Sequence, residues 1–143
     1  MFRRILVPLD GSELAEKVLP LAEAEASDHG ATLVLFRVVP RLRQGLMLVP
    51  SVLDDLNQQV LQLATDYMDR VAGELRRDGI AVETEVQLGK PAESILAFAE
   101  GTGCDLIIIA SHGQSGARQW RFGSVANKVI KMKTTMPVMV CLL

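Results

Sequence analysis

Residues 104–116 read Cys104-Asp105-Leu106-Ile107-Ile108-Ile109-Ala110-Ser111-His112-Gly113-Gln114-Ser115-Gly116. The unbroken aliphatic run Leu106 to Ile109 predicts a strand that is apolar on both faces, as an interior strand of a parallel sheet must be. A polar loop carrying two glycines follows it. Outward from this stretch, short β-branched runs alternate with longer amphipathic ones, a pattern that predicts a parallel sheet flanked by helices. Strands are expected at Arg4 to Leu9, Ala31 to Val39, Ala81 to Leu88, Leu106 to Ala110 and Pro137 to Leu142.

The intervening segments read as helices. Ser12 can cap one whose Leu14, Val18, Leu21 and Ala22 share a face and which ends before Gly30. Pro20 removes a backbone donor inside it, yet the pattern on both sides predicts one continuous helix. Arg41 to Val49 reads as a loop. Leu53, Leu56, Val60, Leu63, Tyr67, Val71 and Leu75 then step by three or four along a long helix that stops at Asp78-Gly79. Gly89-Lys90-Pro91 sets a proline in the first turn of the next helix, with Ile95, Phe98 and Ala99 as its buried face and Gly101 or Gly103 as terminator. Gly123-Ser124 opens the last helix, Val125 to Lys131.

Five parallel strands joined by right-handed crossovers predict a doubly wound, Rossmann-like α/β sheet of order 3-2-1-4-5, with helices on both faces and one domain over residues 1–143. The winding reverses between strands 1 and 4, which opens a crevice beyond their carboxyl ends where such folds bind ligands. There the sequence places Pro8-Leu9-Asp10-Gly11-Ser12 and Ser111-His112-Gly113-Gln114-Ser115-Gly116.

Composition narrows the classes. The chain has 143 residues, 49% hydrophobic and 22% charged, which fits a globular domain and excludes a fibrous or disordered one. No apolar run approaches the roughly 20 residues of a membrane span, and the opening Met1-Phe2-Arg3-Arg4 leads into a strand without a secretion signal. Cys104 and Cys141 have neither metal-ligand spacing nor a CxxC pairing, so a reducing cytoplasm is the expected compartment. The net charge of −2 is unevenly spread. Ten Lys/Arg and all seventeen Asp/Glu lie in residues 1–105, a balance of −7, while residues 106–143 carry Arg118, Arg121, Lys128, Lys131 and Lys133 with no acid. That cationic tail hints at an anion site, although Lys131 and Lys133 also suit the end of a helix dipole.

The chemistry of the second loop agrees with the hint. Gly113 and Gly116 precede Arg118 and Arg121, and a helix start at Gly123-Ser124 offers unpaired N–H groups and a hydroxyl, so these groups could converge on a phosphate. A capped helix after a long solvated loop explains the same residues. Asp10 has a local role open to it as well, capping the first helix or closing an Asx turn.

Taken together, Ile5-Leu6-Val7-Pro8-Leu9-Asp10-Gly11-Ser12, the turn Gly89-Lys90-Pro91-Ala92 and Ala110-Ser111-His112-Gly113 followed after nine residues by Gly123-Ser124 resemble the universal stress protein family along the whole chain. The nucleotide-binding branch of that family carries G-x-x-G, nine residues, then G-[S/T], and binds ATP with this loop. Here the second and third glycines are Gly113 and Gly123, the hydroxyl residue is Ser124, and Ala110 replaces the first glycine. The resemblance implies an ATP site that includes Leu9, in which Pro8 and Asp10 line the nucleoside end and the backbone of Val38 meets the adenine edge. Ala110, His112, Gly113, Gly116, Arg118, Gly123, Ser124 and Val125 complete it toward the phosphates. Whether Mg²⁺ accompanies them, and whether Asp10 reaches base or ribose, is left open. The resemblance further implies a cytoplasmic homodimer built across the last strand, Pro137 to Leu142, acting as a stress-response sensor or regulator. The apolar edge of that strand agrees with pairing.

Other chemistries find little support. No lysine precedes Ser124 as a Walker loop requires, and Leu9-Asp10-Gly11-Ser12 is not a dinucleotide fingerprint. His112 is a lone crevice histidine better suited to orienting its loop than to general base catalysis, and His29 reads as a solvated helix end. Cys104, Cys141, Met68, Met132 and Met139 read as core filling, and Trp120 as an anchor for its loop or a contact for a partner. No catalytic residue and no metal ligand is expected, and hydrolysis would be slow for want of a water-activating base. The acidic total and the missing motif argue against nucleic acid. The competing reading is a nucleotide-free dimeric interaction module of the same family.

Overall fold

The computed structural model describes residues 1–41, 49–111 and 122–142. Strands β1 (Arg4–Pro8), β2 (Thr32–Val39), β3 (Val82–Leu88), β4 (Leu106–Ala110) and β5 (Val138–Cys141) form one parallel sheet in the order β3-β2-β1-β4-β5, as expected. Its helices are α1 (Glu13–Glu16), α2 (Leu19–His29), α3 (Pro50–Arg77), α4 (Pro91–Gly101) and α5 (Phe122–Lys131). On β2, Phe36 stacks on Phe98 of α4 with ring centroids 4.4 Å apart, while the next residue, Arg37, lies 5.2 Å from the ring of Tyr67 on α3. Successive strand residues point to opposite faces, so α4 and α3 cover opposite sides of the sheet. α5 packs beside α4, and α1 is tied to α3 by Tyr67.

The core explains why β1 and β4 lie inside. Every residue of β4 is buried, as are Ile5, Leu6 and Val7 of β1. Each such aliphatic side chain contributes about 1.5–3 kcal/mol by leaving water. The entry to both strands is fixed by Asp105, whose carboxylate accepts from the backbone N–H of Arg3 (2.9 and 3.1 Å) and of Arg4 (3.1 Å). Arg4 in turn reaches across β2 to Glu83 on β3 with two bonds of 2.8 and 3.1 Å, which hold the Glu83 carboxyl below its usual range.

Several expectations are corrected. The helix after Ser12 is not continuous: α1 ends at Glu16 and α2 begins at Leu19, with Pro20 in its first turn. A proline there loses no hydrogen bond, because first-turn N–H groups have no intrahelical partner, whereas in mid-helix it would remove one and clash with the preceding turn. The buried face is accordingly Ala15, Val18, Ala22 and Ala26, with Leu14 half-buried and Leu21 exposed. On α3, Leu63 is 71% exposed and Ala64 and Met68 are buried instead. One residue is about 100° around a helix, and the true stripe runs 53, 64, 68, 71, 72, 75. His29 is half-buried, edge-on to Phe2 and 3.4 Å from Glu25. Cys104 is buried, but Cys141 on the outermost strand is only partly covered, and burial raises its thiol pKa. Strand ends move by one residue in places: Leu9, Ala31, Ala81, Pro137 and Leu142 fall outside the ladders. α5 starts at Phe122, which puts Gly123 and Ser124 within its first turn. Residues 42–48 of the expected Arg41–Val49 loop, and Trp120, lie outside the described residues.

The position of Pro20 is testable. Pro20→Ala is expected to change stability in urea unfolding by less than about 1 kcal/mol, whereas Ala24→Pro, one turn further into α2 at an exposed site, should cost about 3 kcal/mol or more.

Candidate functional site

β1 ends in a proline, and the chain must turn there to enter α1. The amide of Leu9 donates to the carbonyl of Phe36 (2.9 Å), which keeps the turn against the end of β2. The Asp10 carboxylate accepts from the backbone N–H of Ser12 (2.9 Å) and from its hydroxyl (2.6 Å). The Ser12 hydroxyl oxygen accepts from the N–H of Ala15 (3.1 Å). Asp10 therefore closes the Asx turn, and Ser12 is the cap of α1. Gly11 between them has φ +87°, a left-handed angle that strains a side chain.

Beside this turn lies an open cleft lined by Pro8, Leu9, Asp10, Phe36, Val38, Pro91 and Ile95. It sits at the carboxyl ends of β1 and β2 and against the start of α4. Four of its residues, Pro8, Leu9, Asp10 and Val38, are ones the sequence indicated. The other three were missed, though signals for them exist. Phe36 shares a strand face with Val38 by the two-residue period, and Pro91 and Ile95 are one helical turn apart. Its walls are apolar, with one carboxylate.

A second cleft adjoins it, lined by Lys90, Pro91, Ala92, Glu93, Ser124, Val125 and Lys128, so Pro91 borders both. Ser124 is exposed and Val125 buried. Lys128 pairs with Glu93, and this bond holds the Glu93 carboxyl below its ordinary range. The sequence pointed to the first turn of α5 as the anion-facing element. The structure brings the start of α4, which has no side-chain cap, to the same place.

Ala110 lies in neither lining. It ends β4 as a buried strand residue opposite Cys141, and the following amide, that of Ser111, donates to the Cys141 carbonyl (2.8 Å). An extended backbone accepts alanine as readily as glycine. His112, Gly113, Gly116 and Arg118 lie outside the described residues, as does Arg121. Gly123 falls in the first turn of α5. Among the described residues no group of three or more His, Cys, Asp or Glu could hold a metal ion, and no helix is long and apolar enough to cross a membrane.

A sequence model of the universal stress protein family matches residues 1–141, and the chain belongs to that family. The universal stress protein YxiE of Bacillus subtilis is 29% identical over 147 residues, covering 98% of this chain and 99% of its own. The universal stress protein MJ0577 of Methanocaldococcus jannaschii is 30% identical over 154 residues, covering 98% and 94%. The solved structure of MJ0577 superposes with a TM-score of 0.85 over 100% of this chain and 97% of its own. A universal stress protein from Archaeoglobus fulgidus, solved in complex with dAMP, has a TM-score of 0.58 at 23% identity over 98% and 97% of the two chains, a likeness of fold.

The turn predicts a cost that a glycine inside a helix does not share. Gly11→Ala is expected to lower stability by about 1–2 kcal/mol in chemical denaturation. Gly73→Ala, within α3 and with open space around its Cβ position, should be neutral or slightly stabilising.

Proposed function

We propose that this universal stress protein binds an adenine nucleotide, ATP, in the crevice at the carboxyl ends of β1 and β4, and serves as a regulator and not as an enzyme. The observation that carries the reading is the apolar cleft with a single carboxylate, Asp10, at its rim. A flat purine suits apolar walls, and an acceptor at the rim suits its amino group or a ribose hydroxyl. Pro8, Leu9, Phe36, Val38, Pro91 and Ile95 would hold the nucleoside.

From there the phosphates would run toward Ser124 and the first turn of α5, past the start of α4. The family's loop supplies the rest of the reading: Gly113, Gly116, Arg118 and Gly123 as the phosphate cradle, with His112 orienting it and Val125 packing beneath. Ala110 is compatible with this, because it is a strand residue whose methyl is buried outside both clefts. Mg²⁺ would reach the site on the phosphates. Any hydrolysis would be slow, since the residues lining the two clefts include acids only at Asp10, engaged with Ser12, and Glu93, engaged with Lys128. The site would operate in a cytoplasmic protein.

Isothermal calorimetry on nucleotide-stripped protein, with and without Mg²⁺, should give micromolar ATP affinity, and Gly123→Val should weaken it at least about tenfold by blocking the approach of phosphate to backbone. Absence of heat in the wild type, with no competition by ADP, would contradict the nucleotide reading and leave the interaction module.

The assembly we infer is a homodimer through β5. Pro137 and Cys141 give their carbonyls to β4, so by the alternation of a parallel ladder the N–H groups of Val138 and Val140 point to the open edge. Half-buried Val138, Met139, Val140 and Cys141 line that edge. Sedimentation should show a dimer that Val140→Pro, which removes one edge donor and none of the β4 ladder, weakens at least about tenfold. A monomeric wild type would contradict it.

A further inference from the structure

The crevice turn is held from behind by residues that line neither cleft. Tyr67 on α3 donates its hydroxyl proton to Glu16 Oε2 on α1 at 2.6 Å. Its ring has the guanidinium of Arg37 5.2 Å from the centroid and that of Arg70 at 5.3 Å, close enough for cation–π attraction. The Arg37 guanidinium also covers the Cα of Gly11: a Cβ there would come within 3.0 Å of its central carbon and of both terminal nitrogens.

These contacts close a ring. Asp10 holds Ser12, Ser12 caps α1 through Ala15, Glu16 of α1 accepts from Tyr67, Tyr67 carries Arg37, and Arg37 lies on Gly11, next to Asp10. The ring matters because α1 has only four residues and is separated from α2 at Lys17-Val18, so it gains nothing from a longer helix. Burial, first, and the bond to Glu16 push the Tyr67 phenol above its ordinary range, so it remains a donor to Glu16 throughout neutral pH.

We propose that Tyr67 and Arg37 are positioning residues for the ligand crevice: through Glu16 and Gly11 they hold the turn that aims the Asp10 carboxylate at the cleft. The role is indirect, since neither residue lines the cleft, and its effect on ligand rests on the nucleotide reading above. A consequence is that the crevice turn and α3 respond to one another, so anything that shifts α3 alters the grip on the nucleoside.

Two readouts on Tyr67→Phe separate the claims. Removing only the hydroxyl should speed backbone amide exchange at Ser12 and Ala15 at least about tenfold, the scale of losing a hydrogen bond to a charged group, while amides of β1 and β4 keep their rates. In the same variant ATP affinity should fall about tenfold. Its effect should be non-additive with Asp10→Ala, because once the carboxylate is gone there is nothing left to aim. Unchanged exchange at Ser12 and Ala15 would overturn the brace. Unchanged ATP affinity beside a wild type that binds, or full additivity with Asp10→Ala, would overturn the positioning role. A wild type that binds no nucleotide while exchange responds would end the nucleotide reading and leave the brace established.

Discussion

β1 has a parallel neighbour on each side, β2 and β4, and the chain reaches them in opposite directions. Right-handed crossovers then force the helices after β1 and β2 onto one face and those after β3 and β4 onto the other. No helix can cross over the gap where the winding turns, so the carboxyl end of β1 stays open. The two clefts of the described residues sit around that opening, with the Asp10 turn on one side, the starts of α4 and α5 on the other, and Phe36 and Val38 as a floor. The full burial of β4 and the clamp of Asp105 on the amides of Arg3 and Arg4 keep the two strands in register below it.

The crevice combines an apolar pocket with a polar approach, and these come from different parts of the chain. Apolar walls come from strand ends and the inner face of α4, where burial dictates residue type. The approach comes from helix starts, where backbone donors are unpaired whatever the side chains are. For a nucleotide bound as proposed above, such a division would give a firm grip on the flat ring system and a more adaptable one on charge. Among the described residues, the two acids at the clefts are held by Ser12 and Lys128 and have structural work to do.

The sheet order, the five strands and the end of each long helix were legible because they depend on residue periodicity and on glycine, which are local. Asp78-Gly79 and Gly30 terminate α3 and α2 where expected, the latter with φ +62°. Pro20 was misread because the same residue breaks a helix or begins one, and only tertiary packing decides which. Leu63 was misread because leucines at 53, 56 and 63 outweigh an alanine at 64 in any hydrophobic count, whereas burial beside the sheet favours the small residue. In the site, Pro8, Leu9 and Asp10 could be placed from the end of the first strand, whereas Val38 came only through the family resemblance. Phe36, Pro91, Ile95 and Lys90 come from elements brought together only by the winding, and the Tyr67–Glu16 bond spans 51 residues of sequence.

In the proposed function the pocket beside Asp10 receives the nucleoside. Methyl-resolved NMR of protein labelled at Ile, Leu and Val tests it most directly, by titration with ATP. The account predicts that Ile95, Val38 and Leu9 show the largest shifts, saturating together, while the exposed Val52 and Leu63 of α3 stay in place. Saturable shifts that leave Ile95 and Val38 unmoved and appear elsewhere would contradict it.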